Sequence, residues 1–288
     1  MDLLLINPVA GHGYAKRVAE QARKLIDARG VRFQIAYTER PGHASELSKK
    51  AADQGAGTIF VVGGDGTVIE AARGVVGSNT ALAILPAGTG NDFRKSLGIP
   101  EHWREALDFA LAHEPRLVDA GTVNDRLFVN ECGTGFDVMV LEYTMFSKRF
   151  LRGIAAYLYG VLRSIISYRP VALEIVREDG ARERRRVTVF AVANGGWIGG
   201  GMRVAPTANV RDGLLDVVII GEKTPAKICA CLPKLLSGHV LDIPDTETFR
   251  CKEIEILSPS LHLNVDGEVS RELSARFRIQ PNALFVRA

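Results

Sequence analysis

Short apolar runs recur through the first 90 residues, and the stretches between them carry apolar positions at helical spacing. The runs are residues 3–6, 33–37, 58–62 and 81–85. A continuous apolar run is typical of a strand that is buried on both faces of a parallel sheet. Because predicted helices separate these strands, we expect a doubly wound α/β sheet with right-handed crossovers.

The loops that follow the predicted strands are rich in glycine and short polar side chains. They cover residues 7–13, 63–67 and 86–92, and Thr38 follows the remaining strand. In doubly wound sheets ligands bind beyond the carboxyl ends of the strands, where these loops begin. The loops therefore predict a ligand site at that edge of the sheet.

The central loop reads Gly63-Gly64-Asp65-Gly66-Thr67, and a helix-compatible stretch follows it. Glycine lets a ligand approach the backbone closely, and N–H groups at the start of a helix bind phosphate. The carboxylate of Asp65 would repel an anion unless a cation lay between them. The loop therefore predicts a site for a metal-bound nucleotide phosphate. A tight strand-to-helix turn, capped by Asp65 or Thr67, is the alternative.

From about Val118 the apolar segments become strand-like, and few helices separate them. These segments are residues 171–176, 187–193, 214–220, 254–257 and 261–265. The pattern predicts a mainly antiparallel, β-rich second domain. We place the boundary near Thr122, which gives a first domain over residues 1–122, joined by residues 275–288, and a second domain over residues 123–274.

A helix is predicted over about residues 148–167, with an apolar stripe and several cations. The stripe comprises Leu151, Ile154, Leu158, Val161, Leu162 and Ile165, and the cations are Lys148, Arg149, Arg152 and Arg163. One interpretation is an interfacial helix attracted to anionic lipid headgroups. The other is a surface helix that packs its stripe on the sheet. The sequence leaves both open.

Composition and charge narrow the function classes. Apolar residues make up 47% and charged residues 24% of 288 positions, as in ordinary soluble proteins. The net charge of +3 is too small to indicate a nucleic-acid partner. The 4 cysteines form no CxxC pair, so we expect thiols in a reducing cytoplasm. No signal peptide and no apolar run of about 18 residues is visible, so no transmembrane segment is expected.

Known catalytic motifs are mostly absent, and one acidic turn stands out. The chain has no Gly-Lys dipeptide, which excludes a Walker A loop, and no glycine fingerprint in the context of a dinucleotide site. Near the chain's end Asp266 and Glu268 flank Gly267. Two such acids can share a cation or divide the roles of base and metal ligand. Because Asp-Gly is also a common hairpin signal, a plain turn is the alternative.

Taken together, these motifs resemble the diacylglycerol-kinase catalytic-domain family, the soluble bacterial lipid kinases to which sphingosine and ceramide kinases are related. The matching segments are Asn7-Pro8 with Gly11, 63–67 with Glu70, 86–93, 118–119, 135–137, 212–216 and 266–268. They follow one another over nearly the whole chain. Ile69 departs from the family, in which Asn is frequent before the Glu, but Glu70 is kept.

The resemblance implies ATP- and Mg²⁺-dependent phosphorylation of a lipid hydroxyl in a cleft between a nucleotide-binding domain and a lipid-substrate domain. The lipid would be diacylglycerol-like or sphingoid- or ceramide-like. The implied ATP contacts are Asn7, Pro8, Val9, Ala10, Gly11, Thr38, Gly63, Gly64, Asp65, Gly66, Thr67, Glu70 and Thr89. Asp266 and Glu268 would face Asp65 across the cleft, one as the proton acceptor and the others organising Mg²⁺. Which of the two is the base stays open.

The resemblance also implies two metal positions. Asp65, Asp92 and Asp119 resemble the acidic, water-linked network of the active-site Mg²⁺. A structural Mg²⁺ is implied at Asp212, with backbone oxygens of Asn209 and Leu214. A carboxylate suits a hard cation, but an Asp-Gly turn without metal is the alternative.

The family's substrate implies a lipid at a membrane surface and a role in phospholipid metabolism. The enzyme would be cytoplasmic or peripheral at the inner face of the cell membrane, and a homodimer is left open. NAD kinase is an alternative because it shares the glycine turn and because Asn130-Glu131 resembles its Asn-Glu pair. A catalytically weak lipid-binding regulator of the same fold is a second alternative. The retained acids Asp65, Asp266 and Glu268 argue against it.

Overall fold

The computed structural model of the protein describes residues 1–288, except for the side chain of Ile154. The chain divides into two compact units. Unit 1 contains residues 1–120, 210–212 and 280–288, and unit 2 contains residues 121–209 and 213–279. The chain thus leaves unit 1 after Ala120, whereas the sequence analysis placed its boundary near Thr122.

Unit 1 is built on a parallel sheet of short apolar strands. Its elements are β1 (Asp2–Ile6), α1 (Tyr14–Ala28), β2 (Phe33–Tyr37), α2 (His43–Asp53), β3 (Thr58–Gly63), α3 (Asp65–Val75), β4 (Ala81–Pro86), α4 (Asp92–Leu97), α5 (Trp103–Ala112) and the first part of β5 (Pro115–Val123). Strand β1 pairs in parallel with β2 and β3, and β3 pairs in parallel with β4. Every residue of β3 and β4 is buried, as continuous apolar strands require.

Helices cover both faces of this sheet. On one side α1 contacts α5, and on the other α2 contacts α3. Helix α1 buries Ala15, Val18, Ala22 and Ile26, whose spacing of three to four residues places them on one face. The doubly wound α/β arrangement expected from the sequence is confirmed for unit 1.

Unit 2 is mainly antiparallel. Its elements are the end of β5, β6 (Arg126–Phe128), β7 (Glu131–Gly135), α6 (Phe136–Ser147), α7 (Ile154–Ser167), β8 (Val171–Arg177), β9 (Arg182–Ala193), β10 (Trp197–Ile198), β11 (Met202–Arg203), β12 (Leu215–Gly221), α8 (Pro225–Leu236), β13 (Thr246–Cys251), β14 (Glu253–Val265) and most of β15 (Glu268–Arg287). Strand β9 pairs antiparallel with β7, β8 and β12. Strand β14 pairs antiparallel with β7, β8 and β15. The β-rich second domain is therefore confirmed.

Two apolar clusters hold unit 2 together. One lies among the strands and includes Phe190, Ile256 and Phe277. The other, which we call the helix-covered cluster, lies between strands and helices. There Phe136 of α6 and Ile228 of α8 pack with buried residues of β9 and β12. Strand β12 and the later part of β9 are buried on both faces, and alternate side chains along them belong to the two clusters.

The predicted helix over residues 148–167 is wrong in its first part. Helix α6 ends at Ser147, and α7 begins at Ile154 after Gly153, whose φ of 59° lies in the left-handed region. That conformation favours glycine and interrupts a right-handed helix. Lys148, Arg149 and Arg152 therefore belong to the connection between two helices. The side chain of Ile154, part of the predicted stripe, lies outside the described residues.

The remaining stripe is divided between two faces of α7. Val161 and Ile165 pack against the helix-covered cluster, whereas Leu158 and Leu162 are exposed. The interpretation as a surface helix that packs on the sheet therefore holds for Val161 and Ile165, and the interpretation as an interfacial helix stays a prediction. Across the described residues, no helix is long and apolar enough to cross a membrane.

Candidate active site

Three turns after β1, β3 and β4 are tied together at the carboxyl edge of the parallel sheet in unit 1. The backbone N–H of Asn7 donates to the carbonyl of Val62 at 3.0 Å, and its side-chain amide donates to Thr67 Oγ1 at 2.9 Å. The N–H of Ala87 donates to the carbonyl of Gly63 at 2.8 Å. Since these bonds join all three turns, the loops predicted to converge do lie together.

Glycine is required where the turns approach one another. A Cβ placed on Gly88 would lie 2.4 Å from the Cα of Gly64. A Cβ on Gly11 would lie 2.3 Å from the carbonyl oxygen of Ala87, and the φ of Gly11 is +56°. Because these neighbours are backbone atoms, no side chain could turn aside to make room. The glycines therefore allow the turns to pack backbone to backbone.

A cavity of about 410 Å³ lies beside the turns. Its lining consists of Asn7, Val9, Ala10, Gly11, Thr38, Glu39, Arg40, Pro41, Ala44, Gly64, Gly66, Thr67, Glu70 and Gly88. Most of the residues proposed from the sequence to contact nucleotide are in this lining. The other candidates, Pro8, Gly63, Asp65 and Thr89, are adjacent to lining residues in the chain. Arg40, which forms an ion pair with Glu46 at 2.6 Å, lines the cavity without having been predicted from its sequence context.

Glu70 is a structural residue of the cavity wall as well as a candidate contact. Its two carboxylate oxygens accept the backbone N–H groups of Gly42 at 2.9 Å and Ala44 at 3.1 Å. These donors belong to the first turn of α2, where backbone N–H groups have no partner within the helix. Glu70 therefore caps α2 and fixes it to α3.

The carboxylate of Asp65, the first residue of α3, reaches the start of α4, where Asp92 lies. Asp65 Oδ1 accepts the backbone N–H groups of Asp92 at 2.6 Å and Phe93 at 3.3 Å. Asp92 forms an ion pair with Lys95 at 2.8 Å. Burial, followed by the negative charge of Asp92, raises the pKa of Asp65, although the backbone hydrogen bonds oppose this shift. The structure therefore places two carboxylates side by side at the glycine turn.

The other predicted metal ligands lie elsewhere in the chain. Asp119 Oδ1 accepts the backbone N–H of Asn282 at 2.8 Å, which ties β5 to the last strand. Asp212 lies between Asn209 and Leu214 in the connection before β12. The described residues contain no group of three or more His, Cys, Asp or Glu arranged to hold a metal ion. The two predicted ligand sets stay predictions.

The acidic turn near the chain's end is held within unit 2. The carboxylate of Asp266 accepts the backbone N–H groups of Val129 at 2.7 Å, Asn130 at 2.9 Å and Glu131 at 3.0 Å. Asp266 adopts a φ of 50°, in the left-handed region that Asp tolerates better than most residues. Glu268 forms an ion pair with Arg126. The two acids thus have different environments: backbone donors fix one, and a cation neutralises the other.

A pair of buried acids beside this turn was missed as a unit by the sequence analysis. Burial raises the pKa of Glu131 well above its usual value, and the charges of Asp137 and Asp266 raise it further. Burial also raises the pKa of Asp137 to about 6. Within the described residues, Glu131 Oε2 and Asp137 Oδ1 are buried without a hydrogen-bond partner. Glu131 and Asp137 are six residues apart in the sequence. This spacing does not indicate that they lie together, because β7 and the start of α6 separate them.

Comparison with protein families covers both units. Residues 2–123 match the diacylglycerol kinase catalytic domain, and residues 130–288 match the YegS C-terminal NAD kinase beta sandwich-like domain. The chain belongs to the diacylglycerol kinase and YegS-like lipid kinase family. It is therefore a lipid kinase, as the resemblance of its motifs implied, and kinases of this family use a nucleotide.

Individual relatives of this lipid kinase align with it almost from end to end. A diacylglycerol kinase from Mycobacterium tuberculosis H37Rv is 28% identical and aligns over 98% of this chain and 93% of its own. A YegS-like lipid kinase from Chromohalobacter salexigens is 34% identical over 90% of this chain and 85% of its own. The crystal structure of a diacylglycerol kinase from Bacillus anthracis Sterne is 25% identical, with a TM-score of 0.81, and covers 99% of this chain and 96% of that chain.

Proposed function

We propose that this lipid kinase transfers the γ-phosphoryl group of ATP, with Mg²⁺, to a hydroxyl of a diacylglycerol-like or a sphingoid- or ceramide-like lipid. The lipid would be presented at the inner face of the cell membrane. One observation carries the proposal: three glycine turns meet around a cavity of about 410 Å³ with a pair of carboxylates beside it. Phosphoryl transfer depends mainly on positioning and on cancelling charge, and this site offers both.

The triphosphate would bind to the turns through backbone N–H groups. Gly64 and Gly66 line the cavity where α3 begins, and the start of a helix attracts anions. Arg40 also lines the cavity, and Glu46 is its ion-pair partner. Because no Walker A lysine is present, these backbone donors carry most of the phosphate binding in this proposal.

The residues present fit Mg²⁺ in their chemistry. Asp65 and Asp92 supply the hard carboxylate oxygens that Mg²⁺ prefers, and phosphate oxygens commonly complete its octahedral coordination. Burial and the adjacent charge raise the pKa of Asp65, so this side chain lacks full compensation within the protein. Bound Mg²⁺ would neutralise charge that develops on the phosphates during transfer.

Asp266 is our choice for the proton acceptor. Three backbone N–H groups hold its carboxylate in one orientation. Glu268 is less suited to the role because Arg126 already neutralises it. The acceptor hydroxyl would give its proton to Asp266 as its oxygen bonds to the γ-phosphorus, and the bond from that phosphorus to the bridging oxygen would break and release ADP.

The test is ATP turnover on vesicles that contain diacylglycerol, a sphingoid base or ceramide, with NAD as a fourth acceptor. NAD is included because the C-terminal family model is described as NAD kinase beta sandwich-like. We expect turnover on one lipid and none on NAD. Turnover on NAD alone would establish the second candidate, and ATP binding without turnover on any acceptor would favour a lipid-binding regulator.

Asp266→Asn should abolish turnover and leave ATP affinity nearly unchanged, because Asn cannot accept the proton. Its NH₂ group replaces one of the two oxygens that accept backbone N–H groups, so thermal melting should be used to check that the variant folds. Glu268→Gln is the matched control, and we expect it to retain most activity. Turnover should be followed by product formation and ATP affinity by calorimetry. Full activity of Asp266→Asn would remove the proton-acceptor assignment.

A further inference from the structure

The outer face of α7 exposes a ridge of large apolar side chains. Leu158, Leu162 and Ile166 are 53%, 61% and 73% exposed. Their spacing of four residues puts them on one face of the helix. The opposite face is already used, because Val161 and Ile165 pack against the helix-covered cluster of unit 2. The ridge is therefore an additional apolar face that the packing of unit 2 leaves in water.

Aromatic side chains lie beside the ridge. The ring of Phe146 contacts that of Phe150 edge to face, with centroids 5.8 Å apart, and Phe150 contacts Tyr159 in the same way at 5.7 Å. Phe146 and Phe150 are 50% and 58% exposed. Tyr159 precedes Leu162 by three residues, so the rings adjoin the ridge. We call these three rings and the ridge the α6–α7 surface.

The charged residues of segment 143–173, which carries the α6–α7 surface, have one sign. Residues 143–173 contain Lys148, Arg149, Arg152, Arg163 and Arg169 and no Asp or Glu. The guanidinium of Arg149 lies 5.6 Å from the ring centre of Phe146, and that of Arg163 lies 5.5 Å from the ring centre of Tyr143. The two arginines thus lie against the same helices that expose the apolar side chains.

We propose that the α6–α7 surface docks the enzyme on an anionic bilayer. The apolar and aromatic side chains would enter the headgroup and upper acyl region, and the arginines would pair with lipid phosphates. A second copy of the chain fits less well, since a two-fold interface would bring this cationic surface against itself. The proposal rests on the proposed function in one respect, namely that the acceptor lipid lies in a bilayer. It adds which part of the chain contacts that bilayer.

Vesicle binding tests the proposal without any turnover. Sedimentation should be measured with vesicles of phosphatidylglycerol and phosphatidylcholine in equal amounts, and with vesicles of phosphatidylcholine alone, in the absence of ATP and acceptor lipid. We expect binding to the anionic vesicles, weaker binding to the neutral ones, and a loss of the difference at high salt. Equal binding to both vesicle types would overturn the electrostatic part of the proposal.

Two sets of variants locate the contact. Each of Leu158→Ser and Leu162→Ser should weaken binding about tenfold, because the exposed part of one Leu side chain no longer leaves water. Arg149→Gln and Arg163→Gln should each weaken binding to the anionic vesicles about fivefold. The matched controls are Leu273→Ser, 72% exposed on β15, and Arg184→Gln, 87% exposed on β9. Equal losses in the controls would overturn the assignment to this surface.

Two further readouts separate the other outcomes. Turnover on a water-soluble, short-chain acceptor should be unchanged in Leu158→Ser, which shows that the variant folds. Absence of that turnover in the wild-type protein would count against the proposed acceptor and leave vesicle binding as an independent result. If Leu158→Ser instead converts a dimer to a monomer in sedimentation velocity and leaves vesicle binding intact, the surface joins two copies and the proposal is wrong.

Discussion

The contact between Gly88 and Gly64 offers the sharpest test of the converging turns. In Gly88→Ala the new methyl group would lie 2.4 Å from the Cα and 3.2 Å from the N of Gly64. Both neighbours are backbone atoms. Gly64 is held further because its carbonyl accepts the N–H groups of Thr67 at 3.0 Å and Val68 at 3.1 Å. The two turns must therefore separate, since neither can yield locally.

The size of the effect follows from the distances. A methyl group needs about 3.5 Å from another carbon, so the turns must move apart by roughly 1 Å. Overpacking of this kind costs about 1–3 kcal/mol of stability. A displacement of about 1 Å at a site that positions phosphates can lower turnover about 100-fold. We therefore expect Gly88→Ala to fold, with a lower Tm and greatly weakened ATP binding.

Calorimetry with ATP, thermal melting and turnover would measure these effects. For thermal stability the matched control is Gly66→Ala, where an added methyl group meets no heavy atom of the protein within 4 Å; ATP affinity is not compared in this variant, because Gly66 lines the cavity. Because Gly66 lies in the first turn of α3, alanine there should raise stability by about 0.5–1 kcal/mol. An unchanged Tm and ATP affinity in Gly88→Ala would refute the claim that backbone contact between the turns shapes the site.

Three other features of the structure each predict the direction of a change in stability. Glu70→Ala removes the carboxylate that caps α2, so the free energy of unfolding in denaturant titrations should fall by about 1–2 kcal/mol. A double-mutant cycle of Asn7→Ala and Thr67→Ala should give a coupling free energy of about 1 kcal/mol from their hydrogen bond. Asp137→Asn should raise Tm near pH 8. Because burial raises the pKa of Asp137 to about 6, the wild-type protein regains stability as the pH falls from about 6 to about 4, and calorimetric melts should show the variant's advantage disappearing over that range.

Each of these predictions has a result that contradicts it. Unchanged stability of Glu70→Ala would mean that α2 does not depend on this cap. A coupling free energy near zero would mean that the side-chain hydrogen bond between Asn7 and Thr67 does not stabilise the contact between the first and second turns. A constant difference in Tm between Asp137→Asn and wild type from about pH 4 to about pH 8 would show that the buried carboxyl group does not titrate as its environment indicates.

The strands β1, β3 and β4 could be predicted because each consists almost entirely of one apolar run. The strands β5 and β13 could not, since they mix apolar and charged residues. Strand β13 lies beside β12, with Phe249 opposite Val217. Strand β5 lies beside β6, with Gly121 opposite Phe128. Strand propensity depends on such neighbours, so a strand with a mixed composition carries little local signal.

The helix α7 shows a different limit of sequence analysis. Apolar residues occupy both of its faces, and the helical period identified a stripe that included members of each. Which face meets the core depends on Phe136 and the strands beneath it, which are remote in the chain. Periodicity predicts that a helix has an apolar face, but a helix with two such faces has no unique orientation.

At the site, the glycine turns were predictable and the buried acids were not. The conformation and close approach of a glycine depend on its own turn, so the motif carries its structural reason with it. Glu131 lies between Asn130 and Cys132 like any strand residue. Its burial beside the Asp266 turn results from the pairing of β7 with β14, in which Cys132 lies opposite Val265. That pairing joins residues more than 100 positions apart and has no local signature.

In Asp65, Glu70 and Asp266, the groups that fix the orientation of the carboxylate do not neutralise its charge. Backbone N–H groups hold each carboxylate in place, yet an N–H dipole leaves the full negative charge on the acid. For Glu70 that charge interacts favourably with the start of α2. At Asp65 the charge lies beside Asp92, and Lys95 compensates only one of the two. A triphosphate bound at the same turn would add further negative charge. A divalent cation bound with the nucleotide would remove this repulsion, which is the physical reason for proposing ATP and Mg²⁺ together.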